Sequence, residues 1–263
     1  MNLIDCHNHL QDEKFAADLP QLLERARAAG VQYFFCNASC PADWPEVQRL
    51  ASTYPDIIPF FGLHPWYVGE RSENWLTELE KLLLATPGGG GEIGLDHWLE
   101  KRDDALHEEV FRLQLRLAQK LRRPVTIHCV QAWGALCDIL KQEWVAPLPF
   151  CLHAYGGSVE LIEPLAAMGA FFSFAGSVLR EKNERARRAL AAVPANQLLL
   201  ETDAPDIMPP RAFQIVGSKE RNEPANLAGI YRGVAQFRGV GVEELAAMVY
   251  YNAKVFLKGI REI

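Results

Sequence analysis

Apolar residues in this chain fall into two alternating kinds of segment. Short continuous runs such as Tyr33-Phe34-Phe35-Cys36-Asn37, Pro124-Val125-Thr126-Ile127-His128 and the stretch 170–174 have strand length and carry no polar face. Such runs suit parallel strands covered on both sides. Between them lie amphipathic stretches. The first, over 18–29, has leucines at 19, 22 and 23 and is terminated by Gly30, a common helix stop. Strands are expected at 3–10, 33–37, 57–63, 92–95, 124–128, 150–153, 170–174 and 197–203, and helices near 44–53, 73–84, 103–121, 132–143, 158–168 and 180–192. Eight strand-then-helix units predict a closed (β/α)₈ TIM barrel rather than an open sheet. An extra C-terminal helix over 242–257, apolar at 245, 249, 253 and 256, is expected to pack on the barrel's exterior. The glycine run 88–91 precedes a strand, whereas phosphate loops follow one, so it reads as a flexible lead-in.

Composition narrows this picture. The chain has 263 residues, close to the roughly 250 that one such barrel needs, and no linker is visible, so residues 1–263 are expected to form a single domain. With 49% hydrophobic and 23% charged residues, disorder is excluded. A net charge of −6 and a pI near 5.7 argue against a broad basic footprint for nucleic acid. They leave room for a nuclease that grips phosphate through metal ions. The first strand begins at residue 3 with no charged-then-apolar leader, and no apolar run approaches 18 residues. A cytoplasmic protein without a membrane partner is therefore expected, as a monomer or weak homo-oligomer. The six cysteines, at 6, 36, 40, 129, 137 and 151, lack the spacing of a disulfide framework and are expected to be reduced.

The candidate chemistry lies at the strand ends. In Ile4-Asp5-Cys6-His7-Asn8-His9-Leu10 the alternation of a strand puts His7 and His9 on one side, where two imidazoles can reach one divalent cation. Taken alone, these could equally be two surface histidines. Further along, strand three runs into His64, strand four contains Glu92, strands five and six end in His128 and His153, and strand eight ends in Asp203. Active sites of such barrels lie at the strands' C-terminal ends, so these side chains are expected to converge. Each has an ordinary alternative, such as a carbonyl partner for a histidine or a helix cap for the aspartate. Together, imidazoles and carboxylates form the nitrogen-and-oxygen donor set of a two-metal hydrolytic centre.

These residues carry a resemblance. The chain resembles the TatD family of metal-dependent deoxyribonucleases, within the amidohydrolase-type barrels, over nearly its whole length. The landmarks are Asp5-Cys-His7-Asn-His9, Gly62-Leu-His64-Pro65, Gly91-Glu92-Ile-Gly94-Leu-Asp96, Ile127-His128, Leu152-His153, Glu201-Thr202-Asp203-Ala-Pro205 and Asn222-Glu223-Pro224. The resemblance implies two divalent ions per chain, and imidazole and carboxylate donors accept Zn, Mg, Mn or Ni alike. His7, His9 and Asp203 would hold one, His128 and His153 the other, and Glu92 would bridge them, while His64 would line the pocket. It also implies DNA as substrate, trimmed from a 3′ end. Two departures stand out. Val130 sits where the family commonly has Arg, and His97 where it tends to have Tyr. Losing the Arg removes a fork suited to phosphate oxygens.

Asp5 and Glu201 share strand parity with the ligand candidates, so each is expected to point inward. They would receive an N–H from a ligand imidazole or make another polar contact behind the ligands, the reading favoured here, or bind backbone amides at the barrel floor. The long connection from Asp203 to the helix start Asn222-Glu223-Pro224 carries Arg211, Lys219 and Arg221. A connection of that length is usually functional or disordered, and the three are candidates for a phosphate-binding rim, with Arg211 and Lys219 as its substrate-binding residues, although each alone reads as a solvated loop charge. Three functions remain. The leading one is a metal-dependent phosphodiesterase of the 3′–5′ deoxyribonuclease type, with Asp203 and Glu92 as catalytic groups. The second is an esterase, lactonase or deacylase using the same centre on a small-molecule substrate. The third is an idle metal or nucleic-acid binding module, which fits poorly because every expected ligand is present.

Overall fold

The structure, a computed structural model, describes residues 1–145, 148–217 and 220–263. Its strands β1 (Leu3–Asn8), β2 (Val31–Asn37), β3 (Ile57–Phe61), β4 (Gly89–Asp96), β5 (Val125–Val130), β6 (Phe150–Leu152), β7 (Ala170–Phe174) and β8 (Leu198–Leu200) form one parallel sheet in chain order. The helices are α1 (Leu19–Ala28), α2 (Trp44–Thr53), α3 (Trp75–Ala85), α4 (Asp104–Lys120), α5 (Trp133–Glu143), α6 (Ile162–Ala167), α7 (Glu184–Ala192), α8 (Leu227–Arg238) and α9 (Val242–Phe256). The helix limits follow local chemistry. Asp103 caps α4 by accepting the Leu106 N–H, and α8 stops at Gly239, whose φ of 68° is left-handed. Helix α6 is shorter than its sequence pattern because 159–161 turn as a 3₁₀ segment, and α7 because 180–183 form a turn before it.

The β1–β8 seam closes the barrel. The Asp203 N–H bonds the His7 carbonyl at 3.0 Å, and the His9 N–H bonds the Ala204 carbonyl at 2.8 Å. One layer down, the fully buried Asp5 accepts the Thr202 N–H at 2.8 Å and the Thr202 hydroxyl. A side-chain carboxylate thus stands where a ladder carbonyl would, which is why β8 ends at Leu200 rather than at Asp203. The expectation that Asp5 serves a ligand imidazole is corrected on this point, because its bonds go to the seam.

Two further expectations change. Gly89, Gly90 and Gly91 lie inside β4 and Gly88 immediately before it, all of them buried, so the run is not a flexible lead-in. A Cβ on Gly89 would fall 2.1 Å from the Phe60 ring, and one on Gly94, at φ +144°, would fall 2.0 Å from the His128 carbonyl oxygen. Glycine lets β4 press against β3 and β5. The second change concerns α9. Asn252 donates to the carbonyls of Ala195 and Leu198 at the start of β8, and the Phe256 ring meets Phe35, Phe60 and Phe171 from three different strands. Reaching rings from well-separated strands means that α9 stops the end of the barrel opposite the strand C-termini, instead of lying along its flank.

The connection after β8 is pinned by buried amides. Asn222 donates to the carbonyls of Thr202 and Ile207, while Asn226 accepts the N–H groups of Ile215 and Val216. Asn222-Glu223-Pro224 does lead into a helix, through a 3₁₀ turn at Pro224–Asn226.

Candidate metal centre

At the strands' C-terminal ends the side chains gather round Glu92, which is almost fully buried in β4. Its Oε2 lies 3.2 Å from His7 Nε2 and 3.4 Å from His9 Nε2. Its Oε1 lies 3.0 Å from His128 Nδ1 and 2.8 Å from His153 Nε2. Asp203, placed just past β8 with a left-handed φ of 52°, brings Oδ1 to 3.7 Å from His7 Nε2 and 3.5 Å from His9 Nε2. All six ligand candidates from the strand ends therefore meet. Their donor atoms form overlapping triplets, each within 4.8 Å: His7, His9 and Glu92; His7, His153 and Asp203; His64, Glu92 and His128.

Hydrogen bonds behind the rings orient these donors. His9 Nδ1 donates to the Asn37 carbonyl at 2.8 Å, so its Nε2 carries the lone pair. His128 Nε2 donates to Asp96 Oδ2 at 3.1 Å, so its Nδ1 does. His153 Nδ1 lies 3.6 Å from Glu201 Oε1, an ion-pair distance rather than a hydrogen bond, and the same oxygen accepts the Ala154 N–H at 2.7 Å. Glu201 thus faces both a ligand candidate and a backbone amide. Bare imidazole nitrogens turned onto two carboxylates, with the second nitrogens of His9 and His128 held from behind, make a donor set that fits a divalent cation.

His64 differs. Its Nδ1 accepts the Trp66 N–H at 3.2 Å, which leaves the proton of the neutral ring on Nε2, 3.5 Å from Glu92 Oε1. Burial pushes its pKa down to about 3. It is thus a neutral donor aimed into the cavity, as a pocket-lining role requires.

The electrostatics show what the carboxylates demand. Burial opposes the ionised form of Glu92, yet His153, His64 and His7 hold it well below the usual range. Burial likewise opposes charge on His9, but its bond to Asp203 and the charges of Glu92 and Asp203 raise it to about 9. His128 and His153 are raised as well, because Asp96, Glu92 and Glu201 outweigh the cost of burial. The carboxylates call for positive charge among the imidazoles.

Asp96, at the end of Gly91-Glu92-Ile-Gly94-Leu-Asp96, supports the cluster although the sequence pattern did not mark it as a site residue. It holds His128 and also accepts the Trp66 indole N–H at 2.7 Å and the Trp98 backbone N–H at 2.8 Å. The available signal was parity, since Asp96 follows Glu92 by four residues on the same strand face. Asp96→Asn, which keeps the shape but loses the charge, is expected to weaken metal affinity about 10–100-fold, as removal of such supporting carboxylates does. Competition against a chromogenic chelator measures it, and unchanged affinity would remove Asp96 from the site.

The cavity above the cluster measures about 450 Å³. Among the described residues no Lys or Arg lines it, and Asp12, Glu13, Asp43 and Asp206 stand round it. Arg211 is exposed at the start of a 3₁₀ turn and is not one of the lining residues, so the rim expected of it is not formed there. Lys219 lies outside the described residues. Arg221 bonds Asp18, Glu223 and the Lys14 carbonyl and stacks over Phe15 at 5.0 Å, which ties the long connection to α1.

Residues 4–258 match the family described as TatD related DNase. The 3′-5′ ssDNA/RNA exonuclease TatD of Edwardsiella piscicida is 31% identical over 256 residues, covering 96% of this chain and 98% of that protein. The uncharacterized metal-dependent hydrolase YabD of Bacillus subtilis is 29% identical over 258 residues, covering 96% and 97%. Among solved structures, the TatD homolog YjjV of Escherichia coli superimposes with a TM-score of 0.87 at 26% identity, over 97% of each chain.

Proposed function

This chain belongs to the TatD related DNase family of metal-dependent hydrolases, and from that membership we propose that it removes nucleotides from the 3′ end of single-stranded nucleic acid with two divalent ions. The observation that carries the two-ion reading is the split of Glu92: one carboxylate oxygen faces His7 and His9, the other His128 and His153. His7, His9 and Asp203 would hold one ion, His128 and His153 the other, with Glu92 between them. The relatives support the substrate, since one of them is named for single-stranded DNA and RNA.

Such ions, when bound, lower the pKa of water and neutralise charge on a phosphodiester. The protein's own groups do the rest. Burial opposes the charge of Asp203, but its bond to His9 and the neighbouring imidazoles hold its pKa at about 2, so an anionic oxygen stands ready to orient water and take its proton. His64, neutral and fixed by the Trp66 amide, offers Nε2–H to a phosphate oxygen. Buried Glu92 keeps the imidazoles in place without needing a proton of its own.

A second reading, hydrolysis of an ester, lactone or amide, is favoured by one observation. The cavity has no cationic side chain among its described lining residues, and Val130 occupies the end of β5. One assay separates the two. Metal-reconstituted protein is given 5′-labelled single-stranded and duplex DNA beside an ester and lactone panel, and shortening of the single strand from its 3′ end is expected. Activity on the panel alone would overturn the nuclease assignment. About two ions per chain are expected in the same sample, because six donors exceed what one tetrahedral ion uses. Elemental analysis giving one ion or none would sink the two-ion centre.

A further inference from the structure

The cavity's missing cations and the neighbouring aromatic rim belong together. Trp66 and Trp98 are 58% and 74% exposed, unusual for so large an apolar ring. Both are tethered to Asp96, the carboxylate that holds His128: Trp66 through its indole N–H and Trp98 through its backbone N–H. Trp66 also meets the His64 ring edge-on at 5.2 Å. It forms a wall of the metal cavity and, on its other side, of an adjoining groove of about 510 Å³. That groove contains Lys101 and Arg102 together with Glu70 and Asp103. Arg102 is held by Asp104 and by the carbonyls of His97 and Leu99, which shapes the 97–103 loop, while Lys101 is exposed.

On the premise of the nuclease reading, we propose that Trp66, Trp98 and Lys101 form a shelf for single-stranded nucleic acid leaving the metal cavity. Unpaired bases stack on the indoles, and Lys101 meets the backbone phosphate between them. A π-face is available only when a base is unpaired, so the shelf selects single strand over duplex without reading sequence. The shelf also places a cation beside the cavity, whose own lining has none among the described residues and where β5 ends in Val130. The indole bond to Asp96 fixes the Trp66 ring relative to His128 and lowers the entropy lost when a base docks on it, while the backbone bond of Trp98 fixes where that residue leaves the loop.

The test uses the full-length, Mn²⁺-loaded protein with single-stranded oligothymidylate and with bis(p-nitrophenyl) phosphate, which has no base to stack. Trp98→Ala is the informative variant, because the bond from residue 98 to Asp96 is a backbone bond and survives the substitution. The expected result is a KM for oligothymidylate raised about tenfold relative to that for the small phosphodiester, the range that one stacked base supplies. The kcat should stay close to wild type, and Trp98→Phe should recover most of the loss. Oligothymidylate should quench the protein's tryptophan fluorescence, and Trp98→Phe should diminish that quench. Lys101→Ala should flatten the dependence of log K on log salt by about 0.7, the slope of one phosphate contact on a single strand. If wild type cleaves both substrates and the KM ratio is unchanged in Trp98→Ala and Lys101→Ala, the shelf is wrong and the nuclease reading stands. Wild type that cleaves neither overturns both. A Trp98→Ala variant that loses a dimer while keeping its KM ratio would make the indoles a protein contact and overturn the shelf.

Discussion

Asp203→Asn is expected to lower kcat by about 10²–10⁴-fold while the barrel stays folded, the loss that follows removal of a general base. The backbone argument for folding is specific. Asp203 sits at φ +52° with its N–H on the His7 carbonyl, and asparagine tolerates the left-handed region about as well as aspartate. The amide keeps one oxygen for a cation but cannot take a proton as a carboxylate does. The ion held by His128, His153 and Glu92 should remain. Weakened binding near His7 and His9 would deepen the loss, so metal content, thermal midpoint and kcat must be read on one preparation. Near-normal kcat in a fully metallated variant would show that Asp203 is not the base.

Glu92→Gln is expected to have the other large effect, a fall in kcat/KM on the order of 10³-fold or more, since several kcal/mol of charge stabilisation are at stake. The carboxylate faces five imidazoles, those of His7, His9, His64, His128 and His153. Glutamine has one oxygen in place of two, and its NH₂ would point a donor at nitrogens that must remain bare. One side of the pair therefore loses its shared ligand, and fewer than two ions per chain should be retained. The fold should survive. Without Glu92, His9, His128 and His153 lose a charge that raises their pKa values, so they deprotonate more readily, and the amide can still hydrogen-bond the rings. Two ions and unimpaired turnover in this variant would rule out a bridging role.

The architecture was legible because it depends on period and order. Runs such as Ala170–Phe174 with amphipathic stretches between them announce a parallel strand and its helix, and eight such units close a barrel. The donor residues were legible for a related reason. Alternation along β1 puts His7 and His9 on one side, and chain order puts Glu92, His128, His153 and Asp203 at neighbouring strand ends. These are local facts, and the barrel converts them into one place.

What the tertiary structure alone decided concerns partners that are distant in the chain. The glycines of β4 look like slack until the Phe60 ring and the His128 carbonyl are seen pressed against them. Asp5 and Glu201 share the inward parity, yet Asp5 completes the β1–β8 seam while Glu201 faces both His153 and an amide. Nothing in the pattern of Arg221 separates a rim cation from a tether to Asp18 and Glu223. Asp96 gained its role only when β5 was laid beside β4 and Trp66 folded back onto it. The physical reason is the same throughout. Periodicity determines which face a side chain takes, but the register and tilt of neighbouring strands set which atoms come within hydrogen-bond reach, and those depend on the whole barrel closing.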